Sequence, residues 1–329
     1  MKKVTIYEVA KEAKVSLATV SRVMNGPNLV KRETREAVEA AIKKLGYRPN
    51  AIAQGLALNK TTTIGLIISD ASDYYTGQII NGISDVAKVY NYNLYIYNAT
   101  DGINNIDEIL DNVIKHHVDG VLYCINNSFD TNLEILEKYN ISIVFVGSKM
   151  ESKDAYCVYI DFEEMVYDTC NKYLDKGKKN IAILHDRKNK FISKSMLQGA
   201  KRSFDEHGLK FKNYINTAES TQSSYKFLLD YLKKKEYDLV IVNRDSQAGA
   251  FINAAKENGI KVPSTTEVVC LCESKYTDMM RPIVSSYSLP SYDVGAVSMR
   301  LITKLLKDEN IKERHKCLPA IFQKKQTTK

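Results

Sequence analysis

No stretch of eighteen apolar residues occurs in the 329-residue chain. That excludes a hydrophobic membrane-spanning helix. The N-terminus alternates charged and hydrophobic residues, which is not the pattern of a signal peptide; the expectation is a soluble protein kept in the cytoplasm. The six cysteines, Cys124, Cys157, Cys170, Cys270, Cys272 and Cys317, include no pair at C-x-x-C spacing. Most stand in apolar runs, so they read as reduced, buried thiols rather than as a disulfide framework or a zinc site. G-x-G-x-x-G, a Walker loop, G-x-S-x-G and H-E-x-x-H are all missing, and the five histidines make no metal spacing. His116 and His117, adjacent at an expected helix end, read as groups facing the helix dipole rather than as ligands. Together these absences argue against an enzyme, a metal site or a bound cofactor.

Aspartate is missing from residues 1 to 60, which hold twelve Lys and Arg against five Glu, a net of +7 in a chain whose total is +8. The remainder is close to neutral. Positive charge concentrated in the first fifth of a chain is where a polyanion would be met.

Thr5-Ile6-Tyr7-Glu8 has the S/T-x-x-E form of a capping box and opens a short helix with Ile6, Val9, Ala10 and Ala13 on one face, ending near Lys14. Ser16 then caps a helix over Leu17 to Met24. Its Val20, Val23 and Met24 would pack on the first helix, while Thr19, Ser21, Arg22 and Asn25 face out with Leu17 and Ala18. Two helices joined by Lys14 and Val15 make a helix-turn-helix, whose second helix enters the major groove by its N-terminus. Arg22 lies one turn beyond Ala18 and can present two donors to guanine O6 and N7. A third helix, about Arg32 to Leu45, stops at Gly46. Pro49 then holds Arg48 extended. The segment Ala51 to Leu58 has helical periodicity, but it spans about two turns and carries Gly55. Helices that short are marginal in water, so it should fold only when something holds it.

The runs Val4 to Ala10, Val15-Ser16, Ala18 to Val23, Asn25-Gly26, Gly46 to Ala51 and Gly55-Leu56-Ala57 closely resemble the DNA-binding region of the lactose repressor/galactose repressor family. The resemblance implies a homodimer on a pseudo-palindromic double-stranded operator. It adds Thr5, Tyr7, Ser16, Tyr47, Asn50 and Ala53 to the DNA-contacting set, and it makes Leu56 an apolar wedge in the minor groove, a known way to kink a duplex. Two positions depart from the pattern. Lys14 stands where the turn commonly has Gly, so a left-handed conformation there would cost ~1 kcal/mol. Gln54 stands where an Arg is frequent and removes a charge.

From Thr62 onward short apolar runs alternate with helical patterns, first over 64–146 and again over 157–271, which implies parallel sheets covered by helices. The expected architecture is an N-terminal all-α helix-turn-helix domain at 1–47 and a hinge helix at 48–60, followed by an α/β core of two parallel-sheet, Rossmann-like lobes. Those lobes are assigned to 61–160, joined by about 290–318, and to 161–289, joined by about 319–329. The family's core is similar to periplasmic sugar-binding proteins, with an effector cleft between lobes; the return crossings after residue 285 follow from that likeness and not from periodicity.

Sugar-responsive members hold sugar hydroxyls with an Asp that aligns with Cys272 in Cys270-Leu271-Cys272-Glu273. A thiol is a poor acceptor for that purpose. Asp161, Asn243, Asp245 and Cys272 remain the candidates for lining a cleft that takes a small molecule. Tyr292 to Lys304, with Met280-Arg281-Pro282 and the final Gln326-Thr327-Thr328-Lys329, resembles instead the catabolite-control branch of the family. That branch implies serine-phosphorylated HPr as corepressor, with Tyr292, Asp293, Arg300 and Lys304 in contact, and with Asp70 and Tyr90 reaching it from the other lobe. Arg300 and Lys304 are i, i+4 on one helix face, so both can grip a phosphoserine carrying about −1.5 to −2 charge. An acidic position of the branch is Thr100 here, beside Asp101. The alternative is a repressor that responds to a sugar, sugar phosphate or nucleobase.

Overall fold

The computed structural model describes residues 4–25, 30–47, 61–99, 106–125, 133–185, 190–217 and 220–329. The chain divides into two compact units, Met1–Thr61 and Thr62–Lys329.

The first unit is built from α1 (Ile6–Glu12), α2 (Leu17–Asn25) and α3 (Arg32–Leu45) around a small core of Val9, Ala10, Val20, Val23, Val38 and Ala41. Thr5 and Glu8 form the reciprocal capping box: the Glu8 amide donates to Thr5 Oγ1 at 3.4 Å and the Thr5 amide donates to Glu8 Oε2 at 2.7 Å. The tight turn into α2 is a Schellman arrangement. The Lys14 amide donates to the Lys11 carbonyl and the Val15 amide to the Ala10 carbonyl, so Lys14 takes φ 55. The left-handed conformation expected from the family pattern is therefore present on a lysine, and the carbonyls it satisfies offset its cost. Ser16 Oγ accepts from the Thr19 amide at 3.2 Å and starts α2. Gly46, at φ 65, ends α3.

The second unit alternates strands and helices. In chain order it contains β1 (Thr63–Ile68), α4 (Tyr74–Val89), β2 (Asn93–Asn98), α5 (Ile106–Lys115), β3 (Gly120–Cys124), α6 (Glu134–Lys138), β4 (Ser142–Val146) and β5 (Cys157–Tyr159). It continues with α7 (Phe162–Leu174), β6 (Ile181–His185), α8 (Lys190–Glu206), β7 (Asn213–Asn216), α9 (Thr221–Tyr231), β8 (Leu239–Val242), α10 (Asp245–Glu257) and β9 (Glu267–Cys270). It closes with α11 (Lys275–Met279), β10 (Ser285–Ser288), α12 (Ser291–Leu305), β11 (His315–Cys317) and β12 (Ile321–Gln323).

These strands form two six-stranded sheets, ordered β11-β5-β4-β3-β1-β2 and β12-β10-β9-β8-β6-β7. The central strands β1, β3, β6, β8 and β9 are buried along essentially their whole length, as strands covered on both faces must be. The chain crosses between the sheets after β5, after β10 and again between β11 and β12. All pairings are parallel except β10 with β12, which is antiparallel, so the second lobe departs from a purely parallel sheet. β12 arrives directly from the other sheet with no crossover helix to turn it round.

Three smaller differences concern side chains. His116 does not serve as a helix-end cap: its Nδ1 lies 2.8 Å from the Tyr97 hydroxyl and its ring stacks on Tyr97, because β2 runs beside that helix end. Cys317 on β11 is exposed rather than buried, whereas Cys124, Cys157, Cys170 and Cys270 lie in the core. Strand β7 and helix α11 had no clear periodic signal, being only four and five residues long.

Candidate functional site

On the first unit the outward residues of α2 form one surface. Ser16, Leu17, Ala18 and Arg22 are exposed, Thr19 and Ser21 are half-buried, and Val20 and Val23 point into the core. Thr5 and Tyr7 are exposed at the start of α1, Tyr7 at 71%. Tyr47 is half-buried against the small core, its amide donating to the Ile42 carbonyl at 3.1 Å. Several basic groups of this unit are neutralised by glutamates, Arg32 with Glu36 at 2.7 Å and Lys44 with Glu12 at 2.6 Å. Among the described residues Arg22 has no carboxylate within 4 Å, so its guanidinium is available at the surface that carries Leu17 and Ala18. A short apolar pair beside an unpaired Arg suits thymine methyl and guanine contacts respectively. The Asn25 side chain, the hinge at 48–60 with Asn50, Ala53, Gln54 and Leu56, and Thr100 with Asp101 lie outside the described residues.

On the second unit a charged face runs along α4 and α12. The two helices are packed at backbone contact. A methyl added at Gly82 would sit 2.0 Å from the Tyr292 carbonyl oxygen, and one at Gly295 would sit 2.1 Å from that of Ile79. Only glycine allows this approach, and it fixes what the outer faces present. Tyr292, Asp293, Arg300 and Lys304 on α12 are all exposed, as is Tyr90 at the C-cap of α4. The Tyr292 hydroxyl donates to Asp85 Oδ2 at 3.2 Å and Lys88 donates to Asp85 Oδ1 at 3.1 Å. Lys88 and then Tyr292 hold the Asp85 carboxyl below its ordinary range; desolvation and the bond to Asp85 raise the Tyr292 phenol.

Tyr90 was expected to reach this face from the other lobe. So was Asp70, but α12 packs on α4 and on β3 to β5, so Asp70, Tyr90, Tyr292 and Arg300 all belong to the lobe of the first sheet. The sequence of α12 follows the second lobe's strands; its assignment with 61–160 came from the family likeness, and the glycine-to-backbone packing on α4 gives the physical reason for it. Asp70 sits in the turn after β1, where its Oδ1 accepts from the Ser72 amide at 2.8 Å and the Ser72 hydroxyl at 2.6 Å. Sequence reasoning missed Asp85, Lys88, Val89 and Lys307 on this face. Helical spacing along 78–90 was the signal that could have found the first three.

Three of the four cleft candidates, Asp161, Asp245 and Cys272, have their side chains engaged within the protein. Asp161 caps α7, accepting from the Glu164 amide at 3.1 Å, and pairs with Lys149 at 3.5 Å. Asp245 accepts from the Ser274 hydroxyl at 2.5 Å and the Ser246 amide at 2.6 Å. Asn243 is buried, its backbone N–H donating to Gln247 Oε1 at 3.0 Å. Burial pushes the Cys272 thiol well above its ordinary range, and it donates to the Glu273 carbonyl at 3.6 Å. Nearby, burial also raises the Tyr75 phenol strongly, and its hydroxyl is buried with no hydrogen-bond partner among the described residues. A dense set of free acceptors such as a polyol requires is not formed by these four residues.

Comparison with known proteins identifies both parts. Residues 5–50 match the family described as bacterial regulatory proteins, lacI family, and residues 171–328 match a periplasmic binding protein-like domain. The chain is 35% identical over 328 residues to catabolite control protein A of Staphylococcus aureus, covering 99% of each. Among solved structures it is similar to the transcription regulator CcpA of Lactococcus lactis, with a TM-score of 0.72 and 26% identity over 81% of this chain and 99% of that one. It is also similar to the lac repressor dimer bound to operator and the anti-inducer ONPF, with a TM-score of 0.88 and 22% identity over 99% of both.

Proposed function

Because the chain belongs to the lacI family of bacterial regulatory proteins, and is thereby a DNA-binding transcriptional regulator, we propose that it serves carbon catabolite control with serine-phosphorylated HPr as its corepressor. The observation that carries the proposal is the α4/α12 face. Arg300 and Lys304 stand exposed one turn apart, without a carboxylate within 4 Å among the described residues, with the exposed Asp293 two turns before Arg300 on the same helix. Two unpaired cations at i, i+4 suit a phosphoserine dianion, and Asp293 suits a cationic or imidazole group next to it. The 35% identity to catabolite control protein A over the full length supports the same reading.

The operator is read by Arg22, Leu17 and Ala18, with Thr5, Tyr7, Ser16, Thr19, Ser21, Asn25 and Tyr47 positioning α2 on the backbone, and with Asn50, Ala53 and Leu56 acting at the hinge. Two copies bind one pseudo-palindromic site. A homodimer is supported by exposed apolar groups on both lobes, Tyr95 and Ile96 on the edge strand β2, and Tyr276 and Met279 on α11. An uncovered edge strand and apolar patches of this kind are what a second subunit buries. Corepressor binding favours the dimer arrangement in which both hinge segments meet the operator.

Direct titration of the purified protein with HPr tests the proposal. Binding of the serine-phosphorylated form at micromolar concentration, with the unphosphorylated form at least ten times weaker, is the expected result. Equal affinity for both forms overturns the proposal, and a response to sugars alone would put the effector in the cleft at Asp161, Asn243, Asp245 and Cys272.

A further inference from the structure

Beyond Arg300 and Lys304, the α4/α12 face holds a third lysine whose position is fixed by a neighbouring helix. After α12 ends at Leu305 the backbone keeps turning. Leu306 remains right-handed at φ −68, and the Lys307 amide donates to the Lys304 carbonyl at 3.2 Å. Positions 300, 304 and 307 therefore follow i, i+4, i+7 and make one stripe. The Lys307 ammonium is held 5.0 Å from the centroid of the Tyr90 ring, at the C-cap of α4.

Carboxylates surround this stripe without pairing to it. Asp85 is engaged by Lys88 and Tyr292. Asp293 lies two turns back on α12, and Asp308 and Glu309 follow Lys307 on the exposed turn. Among the described residues none lies within 4 Å of Arg300, Lys304 or Lys307. Three like charges on one stripe repel each other, and a single dianion relieves all three. A free lysine side chain loses much rotamer freedom when it grips a ligand; one already laid over an aromatic face loses less. Val89, exposed at 77% beside Tyr90, adds an apolar shoulder to the cationic edge.

We propose that Lys307 is a third phosphate-binding cation of this face, preorganised by the ring of Tyr90, and that the two act as a unit. This role presupposes that the α4/α12 face docks a phosphoprotein. The partner's phosphoryl group then meets Arg300, Lys304 and Lys307 together, and an apolar side chain flanking it rests on Val89 and Tyr90.

The test is a double-mutant cycle on the full-length protein, titrated with serine-phosphorylated HPr. Lys307→Gln is expected to weaken binding about two- to fivefold, with Lys307→Arg retaining most of the affinity. Tyr90→Leu, which keeps an apolar side chain but removes the ring, is expected to weaken it by a similar factor, and the double variant by less than the product of the two. Losses that multiply, or a Lys307→Gln protein that binds as tightly as the unaltered one while Arg300→Ala does not, overturn the role of Lys307 and leave the docking face intact. Indifference to Arg300→Ala as well overturns the docking face itself.

Discussion

Arg300→Ala is expected to lower affinity for serine-phosphorylated HPr by about ten- to a hundredfold, corresponding to ~1.5–3 kcal/mol for a hydrogen bond to a charged group at a covered interface. It is expected to leave the melting temperature within a degree or two. The asymmetry follows from where Arg300 sits. Its side chain is exposed and makes no ion pair with a described carboxylate, so no ion pair of the free protein is lost with it. Surface substitutions of that kind shift stability by only ~0.5 kcal/mol in either direction. Titration calorimetry for binding and scanning calorimetry for stability separate the two effects. A large fall in melting temperature would mean that Arg300 belongs to the fold and not to a docking edge.

Gly295→Ala is expected to act in the opposite way, on the fold first. Its added methyl would lie 2.1 Å from the Ile79 carbonyl oxygen, a distance that real Cβ atoms do not adopt, so α4 and α12 must separate. Overpacking in a rigid core costs ~1–3 kcal/mol, and an obstruction by backbone rather than by a flexible side chain belongs at the upper end. Separation also carries Tyr292 away from Asp85, which it now reaches at 3.2 Å, and so disturbs the face that carries Arg300. Gly77→Ala is the matched control on α4. A methyl there meets nothing within 4 Å, and removing a helical glycine should stabilise by ~0.5–1 kcal/mol. Urea unfolding of the two variants should move the midpoint in opposite directions. If both stabilised the protein, the close helix contact would be wrong.

Much of this arrangement was legible in the sequence because it depends on local chemistry. The capping box at Thr5 and Glu8, the cap at Ser16 and the glycine stop at Gly46 set the three N-terminal helices, and each is decided by residues within one turn of one another. The strands β1, β3, β6 and β8 showed themselves as uninterrupted apolar runs because both of their faces are covered. The outward residues of α2 followed from helical period alone.

What periodicity did not carry is contact between distant segments. The antiparallel pairing of β10 with β12 joins residues some 35 positions apart in strands of three and four residues, too short to declare an alternation. Gly82 and Gly295 look like helix-weakening residues until each is seen against the backbone of the other helix. For the same reason Asp70 and Tyr90 were expected from the lobe opposite Arg300, and Lys307 was not singled out. Its proximity to Tyr90 spans more than 200 residues of sequence. The cleft candidates were chosen by residue type, and the engagement of Asp161 by Lys149 and of Asp245 by Ser274 is again a matter of tertiary contact.

The most direct measurement is the operator affinity of the full-length protein in the absence and presence of saturating serine-phosphorylated HPr, at one fixed salt concentration because phosphate contacts make binding salt-dependent. Docking at the α4/α12 face should tighten operator binding by about five- to a hundredfold, the usual range of coupling between sites. Arg300→Ala, whose unassisted operator affinity stays unchanged, should need about ten- to a hundredfold more partner for the same enhancement, whereas Arg22→Ala should weaken operator binding with or without the partner. An operator affinity that is the same with and without the phosphorylated protein would contradict the account.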